Sequence, residues 1–256
     1  MIKKIFIISA FLCFIAFSSA LFAHFQVIIP TKDIISSKSE SNINLSLLFT
    51  HPFNQYHMNM GKPSEFGVFL NGKKKNLLSN LKKVKSKGFD TYTANYKVNK
   101  PGDHIFYLVP KPYFEQEEGK FIVHNTKVTV NAFGLENGWA EEIGMDAEII
   151  PLVRPYGLWS GNIFRGLVKK YGKVVPNAVV EVEYYNYKQD VVAPAPPFET
   201  QVVIADKNGV FSYAMPKSGW WGFSAIMEAK NSHKKDGKDY PVELGAVFWV
   251  KTKDMK

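Results

Sequence analysis

The sequence predicts an all-β protein: two immunoglobulin-like antiparallel β-sandwich domains that follow a signal peptide. Three observations carry this. From Phe25 onward the chain is built of short apolar runs rich in β-branched and aromatic residues. Gly, Pro, Asn and Lys punctuate the runs at regular spacing. A single turn near Asn76 to Leu81 apart, no stretch shows the apolar period of an amphipathic helix.

Residues 1–23 have the parts of a secretory signal: Lys3 and Lys4, the apolar run from Ile5 to Phe17, then small residues. The run is shorter than the ~20 residues that span a bilayer as a helix, so an exported, soluble, periplasmic chain is expected. Two cleavage positions compete. Cleavage after Ala20 fits the small-x-small rule better; cleavage after Ala23 places Leu21 at the poorer position but makes His24 the first residue. The only cysteine, Cys13, lies inside the apolar run, and Ala10-Phe11-Leu12 before it lacks the small residues of a lipoprotein box. The mature chain therefore has no disulfide, and its core must hold without one.

The N-terminal sandwich is placed at residues 24–135, with strands over 25–29, 43–49, 66–70, 89–98, 104–109 and 127–133 and a hairpin signal at Asn71-Gly72. Residues 136–150 are expected as a linker, within a stretch that carries Gly138, Gly144, Pro151, Pro155 and Gly157 and little alternation. The C-terminal sandwich is placed at 151–256, with strands over 161–168, 179–187, 201–205, 209–213, 222–227 and 245–250. The prolines of residues 193–197 mark an exposed loop.

The formal charge of +9 loses Lys3 and Lys4 with the leader. The remaining lysine clusters (73–75, 82–87, 234–235) read as solvated loops and guarded sheet edges, and are compatible with contact to an anionic membrane surface. Nucleic acid is not an expected partner, since the only arginines are Arg154 and Arg165 and export removes most such targets.

The histidines carry the chemistry. At a mature N-terminus His24 would offer its α-amine and imidazole Nδ1 together, a chelate for a transition-metal ion. The segment from His51 to Met60 is the densest donor stretch, with His51, His57, Met58 and Met60; the thioethers either keep copper in play or fill hydrophobic gaps. His104 follows the Pro101-Gly102-Asp103 turn and is either a buried histidine or a ligand at a sheet edge. His124, near the acidic run 115–118, is either held by a carboxylate or sits on the surface. His233 falls in a charged hairpin loop and is expected in solvent. No nucleophile elbow, phosphate loop, dinucleotide fingerprint or cleft-spanning carboxylate pair is present, so no enzyme activity is expected. Trp220-Trp221 are expected between sheets, with a sugar-binding platform as the alternative.

The whole mature length resembles the NikK-type periplasmic accessory components of nickel transporters. The resemblance rests on Ala23-His24, His51-Pro52-Phe53, Pro101-Gly102-Asp103-His104, Pro112-Tyr113-Phe114-Glu115, the segment from Phe121 to Lys127, the runs from Glu148 to Leu152 and from Arg154 to Trp159, and Pro176 to Tyr185 with Ser218-Gly219-Trp220-Trp221-Gly222. It implies a protein that binds Ni(II), or the closely similar Co(II), and passes it to an inner-membrane metal transporter, with His24 and His51 in the matching segments, then His124 and His104. His57 comes from donor density alone. The rival readings are a periplasmic copper carrier with the same N-terminal chelate and a glycan-binding surface module.

Overall fold

A computed structural model describes residues 24–255; the expected leader, residues 1–23, lies outside the described residues. In chain order the strands of the first half are β1 (Phe25–Pro30), β2 (Ile34–Ile35), β3 (Asn42–His51), β4 (Tyr56–Met58), β5 (Glu65–Leu70), β6 (Lys73–Asn76), β7 (Leu81–Ser86), β8 (Phe89–Lys97), β9 (Gly102–Val109), β10 (Tyr113–Glu115) and β11 (Lys120–Ala132). The second half holds β12 (Ala147–Pro151), β13 (Leu158–Trp159), β14 (Ile163–Lys170), β15 (Lys173–Val174), β16 (Val179–Tyr184), β17 (Thr200–Ile204), β18 (Val210–Ala214), β19 (Gly219–Glu228), β20 (His233–Lys235), β21 (Lys238–Tyr240) and β22 (Val242–Lys253). Helical structure among the described residues is limited to short 3-10 turns, one of them at Leu78–Asn80, where the sequence marks a turn. The fold class is thus all-β, in sandwich form. No helix among the described residues is long and apolar enough to cross a membrane.

The sheets join the two halves of the chain. One sheet runs β1-β3-β8-β7, with β4 on β3. A second, of eleven strands, runs β17-β16-β19-β22-β11-β9-β5-β6 and passes through both halves of the chain. A third runs β12-β14-β15 with β18 on β14. The weld is the parallel pair β11 and β22, in register from Phe121↔Val242 to Val128↔Trp249. Because side chains alternate across a strand, one face of this sheet feeds each core. Ile122, Val128, Val247, Trp249 and Trp220 pack under the first sheet; Leu244, Ala246, Phe248, Phe223 and Trp221 pack against the third. Trp220 and Trp221 therefore point into different cores, and both are buried. The sugar platform has no exposed ring pair to stand on.

The stretch expected as a linker is also tied down. Its residues 147–150 belong to β12, which pairs with β14. Lys127 of β11 bonds Glu148 at 2.6 Å, with both side chains buried. The Glu148 carboxylate also accepts the N–H groups of Ile143, Gly144 and Met145, so the irregular chain before β12 folds around one buried acid. The Asn71-Gly72 hairpin forms as expected, with both residues at positive φ, joining β5 to β6.

Candidate metal centre

The site lies where β1, β3, β10, β11 and β22 meet. The β1–β3 ladder pairs Phe25 with Thr50, and one step further brings His24 opposite His51. Their rings are 4.6 Å apart between centroids. Phe49 stacks on His24 at 5.6 Å, and Tyr113 packs against Phe49 at 5.1 Å, so the rings sit in an aromatic wall. Next along the chain, Phe53 leaves its ring in the C-terminal core while its N–H donates to Glu183 at 2.9 Å, and Asn186 N–H donates to Pro52. The His51-Pro52-Phe53 motif thus carries one ring for the site and one anchor across the two halves.

Two histidine–carboxylate pairs frame the site. His24 Nε2 lies 3.2 Å from Glu115 on β10. His124 Nε2 lies 2.9 Å from Glu243 on β22. In the neutral form of His124, Nε2 donates to the Glu243 carboxylate, which leaves Nδ1 as the lone-pair nitrogen; His24 faces Glu115 as an ion-pair neighbour. His124 Nδ1 is buried and has no hydrogen-bond partner among the described residues. This is how a ring is held ready for a metal ion, with a carboxylate fixing tautomer and orientation from behind. Lys120 bonds Glu243 at 2.5 Å and also pairs with Glu118.

Electrostatics follow from burial. His24 is lowered to about 4, first by desolvation and then by the His124 charge, with Glu118 and Glu243 opposing. Desolvation is the largest effect, so the ring is neutral at pH 7 and its lone pair is open to a cation. Burial alone would raise Glu243, yet the hydrogen bonds and charges of His124 and Lys120 bring it down to about 2. Glu181 on β16 is pushed up to about 7 by burial and feels His124, Glu243, Lys120 and Glu118, which places it on the rim of the same field. Among the described residues no three His, Cys, Asp or Glu side chains are already gathered as a ligand set. The donor chemistry fits a borderline transition-metal ion.

Gly245 makes room for the site. It pairs with His124 across β11 and β22, and a Cβ there would lie 2.7 Å from the ring Cγ and 2.8 Å from Nε2. The ring lies flat over that backbone, which only glycine permits.

The remaining expected residues lie elsewhere. Thr50↔His57 and His51↔Tyr56 are neighbouring pairs in the β3–β4 ladder, so His57 faces the opposite side of the sheet from His51 and bonds Thr50 through Nδ1 at 2.8 Å. His104 pairs with Val130, six residues along β11 from His124, a distance of roughly 20 Å. Its Nε2 donates to the Lys100 carbonyl at 3.0 Å and its Nδ1 faces Tyr96 Oη at 3.5 Å, so both nitrogens are engaged in the N-terminal core. Met58 and Met60 are buried in that core, and Gln26 Nε2 approaches Met60 Sδ at 3.5 Å; they fill space. His233 is exposed, with its ring edge-on to Phe121. The sequence reading missed Glu115, Glu243 and Gly245 as parts of the site. The acidic run 115–118 was a partial signal for the first; Glu243 lies 119 residues from His124 and had none.

The family described as "Domain of unknown function (DUF4198)" matches residues 21–229. No curated protein matches the sequence. Among solved structures, a titin tandem of immunoglobulin domains shares 11% identity over 88% of this chain and 99% of that one, at a TM-score of 0.20. Fibronectin(III)-like modules of Clostridium thermocellum CbhA share 10% over 88% and 95%, also at 0.20. The Escherichia coli alpha-2-macroglobulin shares 8%, covers 91% of this chain and 14% of its own, at 0.26. Likeness at this level transfers no function.

Proposed function

We propose that this chain, which belongs to the DUF4198 family, is a NikK-type periplasmic carrier that captures Ni(II) or Co(II) and delivers it to an inner-membrane importer, without turnover. The observation that carries the reading is the pair of buried histidines, His24 and His124, each with Nε2 beside a carboxylate, His124 hydrogen-bonded to its carboxylate so that Nδ1 is presented. His51, in ring contact with His24, is the third donor. If the leader is cut after Ala23, the His24 amine joins Nδ1 of its own ring in one chelate. Glu115 and Glu243 then orient the rings and offset the ion's charge. His57 and His104 act in folding. Copper is the weaker reading, because the soft thioethers of Met58 and Met60 are spent in the core.

Intact-mass spectrometry of the exported protein under native conditions, with and without Ni(II), reads cleavage site and stoichiometry together. A chain that begins at His24 and gains one nickel supports the reading. A chain that begins at Leu21 and gains none counts against it.

A further inference from the structure

The two outer strands of the eleven-stranded sheet differ in how their edges are protected. At one end β6 reads Lys-Lys-Lys-Asn. The outer strand of the first sheet, β7, reads Leu-Lys-Lys-Val-Lys-Ser. Lysines of this kind discourage another strand from pairing. At the other end β17 reads Thr-Gln-Val-Val-Ile, with neither lysine nor proline, and among the described residues no strand pairs with its outer edge. Its outward side chains are apolar: Val202 is 57% exposed and Ile204 69%, beside the half-exposed Val179.

Beneath the opposite face of β17 lies a half-open cavity of about 180 Å³, walled by Phe53, Val182, Tyr184, Phe198, Gln201 and Trp221. Its size and lining suit one aromatic ring, since a dry apolar cavity of about 150 Å³ accepts benzene. Gln201 pairs with Val182, so it points to this face. A strand added to β17 would set the residue opposite Gln201 on that same face, over the cavity, and its two neighbours on the other face, beside Thr200 and Val202.

We propose that β17 receives an extended, uncharged segment of a partner protein by strand addition, and that an aromatic side chain of that segment fills the cavity. Main-chain bonds to the edge supply affinity and the cavity supplies selectivity. The segment does not come from a second copy pairing β17 with β17: those five residues include no aromatic ring, so the cavity would stay empty. The added strand would lie two strand spacings, about 10 Å, from β16 and its Glu181, on the rim of the metal centre. Only the identity of the partner as the importer rests on the delivery reading; the binding itself is independent of metal.

The test uses the metal-free mature chain and two blocked peptides, Ser-Val-Phe-Val-Ser-Asn and the same peptide with Ala for Phe, followed by amide and methyl NMR. The Phe peptide is expected to shift residues 200–204, Val182 and the Trp221 indole, and the Ala peptide to bind at least tenfold more weakly. Val202→Lys, at an exposed position, should abolish binding, whereas Ile163→Lys on β14 should not. Equal binding of the two peptides, or no binding of either, overturns the proposal. So does a protein that dimerises alone and becomes monomeric with Val202→Lys. Failure of nickel binding with the peptide result intact would refute the carrier reading and leave this one standing.

Discussion

Gly245→Ala tests the histidine arrangement without removing a donor. The added Cβ would sit closest to His124 Cδ2, with Cγ at 2.7 Å and Nε2 at 2.8 Å, where ordinary contact begins near 3.5 Å. The ring must retreat by roughly 1.2 Å, and the buried setting leaves little room. A retreat of that size along the 2.9 Å bond to Glu243 stretches it beyond hydrogen-bond length. Overpacking of this kind costs about 1–3 kcal/mol, and loss of a hydrogen bond to a charged group adds about 1.5–3 kcal/mol. A stability loss of about 2.5–6 kcal/mol is expected by denaturant unfolding. Nickel affinity by calorimetry should fall about 10- to 100-fold, as it does when a group that orients a ligand is lost. Gly166→Ala is the control: its Cβ meets Phe211 at 2.6 Å in the C-terminal core, so it should destabilise comparably and leave affinity unchanged. Gly245→Ala with wild-type nickel affinity would refute the placement of His124 in the site.

Two further predictions concern stability. His24 is neutral in the fold and lowered to about 4, chiefly by burial, while an unfolded histidine protonates near 6.5. The unfolded chain therefore binds the extra proton between these values, so the stability this site contributes above pH 6.5 is lost as pH falls toward 4. Thermal melts from pH 7.5 to 4.5 should show that slope, and His24→Phe should flatten it; an equal slope in both proteins would contradict the assignment. Glu148→Ala strands the buried Lys127 ammonium and three N–H groups, at a cost of about 3–5 kcal/mol; a loss under 1 kcal/mol in urea unfolding would show that the pair does not hold the segment before β12.

Local structure was legible because it is written in local residues. The run Phe-Gly-Val-Phe-Leu, followed by Asn71-Gly72, encodes β5 and its turn, and β1, β3, β8 and β9 fall where alternation and β-branching place them. The first half of β11 was not read, since His124, Asn125 and Thr126 interrupt the apolar pattern; those polar groups are buried by the strands on either side, which sequence proximity does not supply. The same holds for the weld. A parallel pair between residues 121–128 and 242–249 needs a partner strand more than a hundred residues away, so the two sandwiches looked separable. For the site, His24 and His51 were found by type and position, and the β1–β3 register brings them together. His57 was included on spacing alone, and a single pleat step turns it to the other face. His104 had been weighed as core or ligand, and its partners Lys100 and Tyr96 decide for the core.

The central claim is that an N-terminal histidine chelate begins the metal centre. It is tested most directly by calorimetric Ni(II) titration, at pH 7.5, of two chains that differ by one residue, one starting at His24 and one starting at Ala23. Adding Ala23 converts the His24 amine to a peptide nitrogen and leaves its ring, Glu115, His51 and His124 in place. The account predicts one nickel per chain for the first protein and at least tenfold weaker binding for the second. Equal affinity in the two would contradict it.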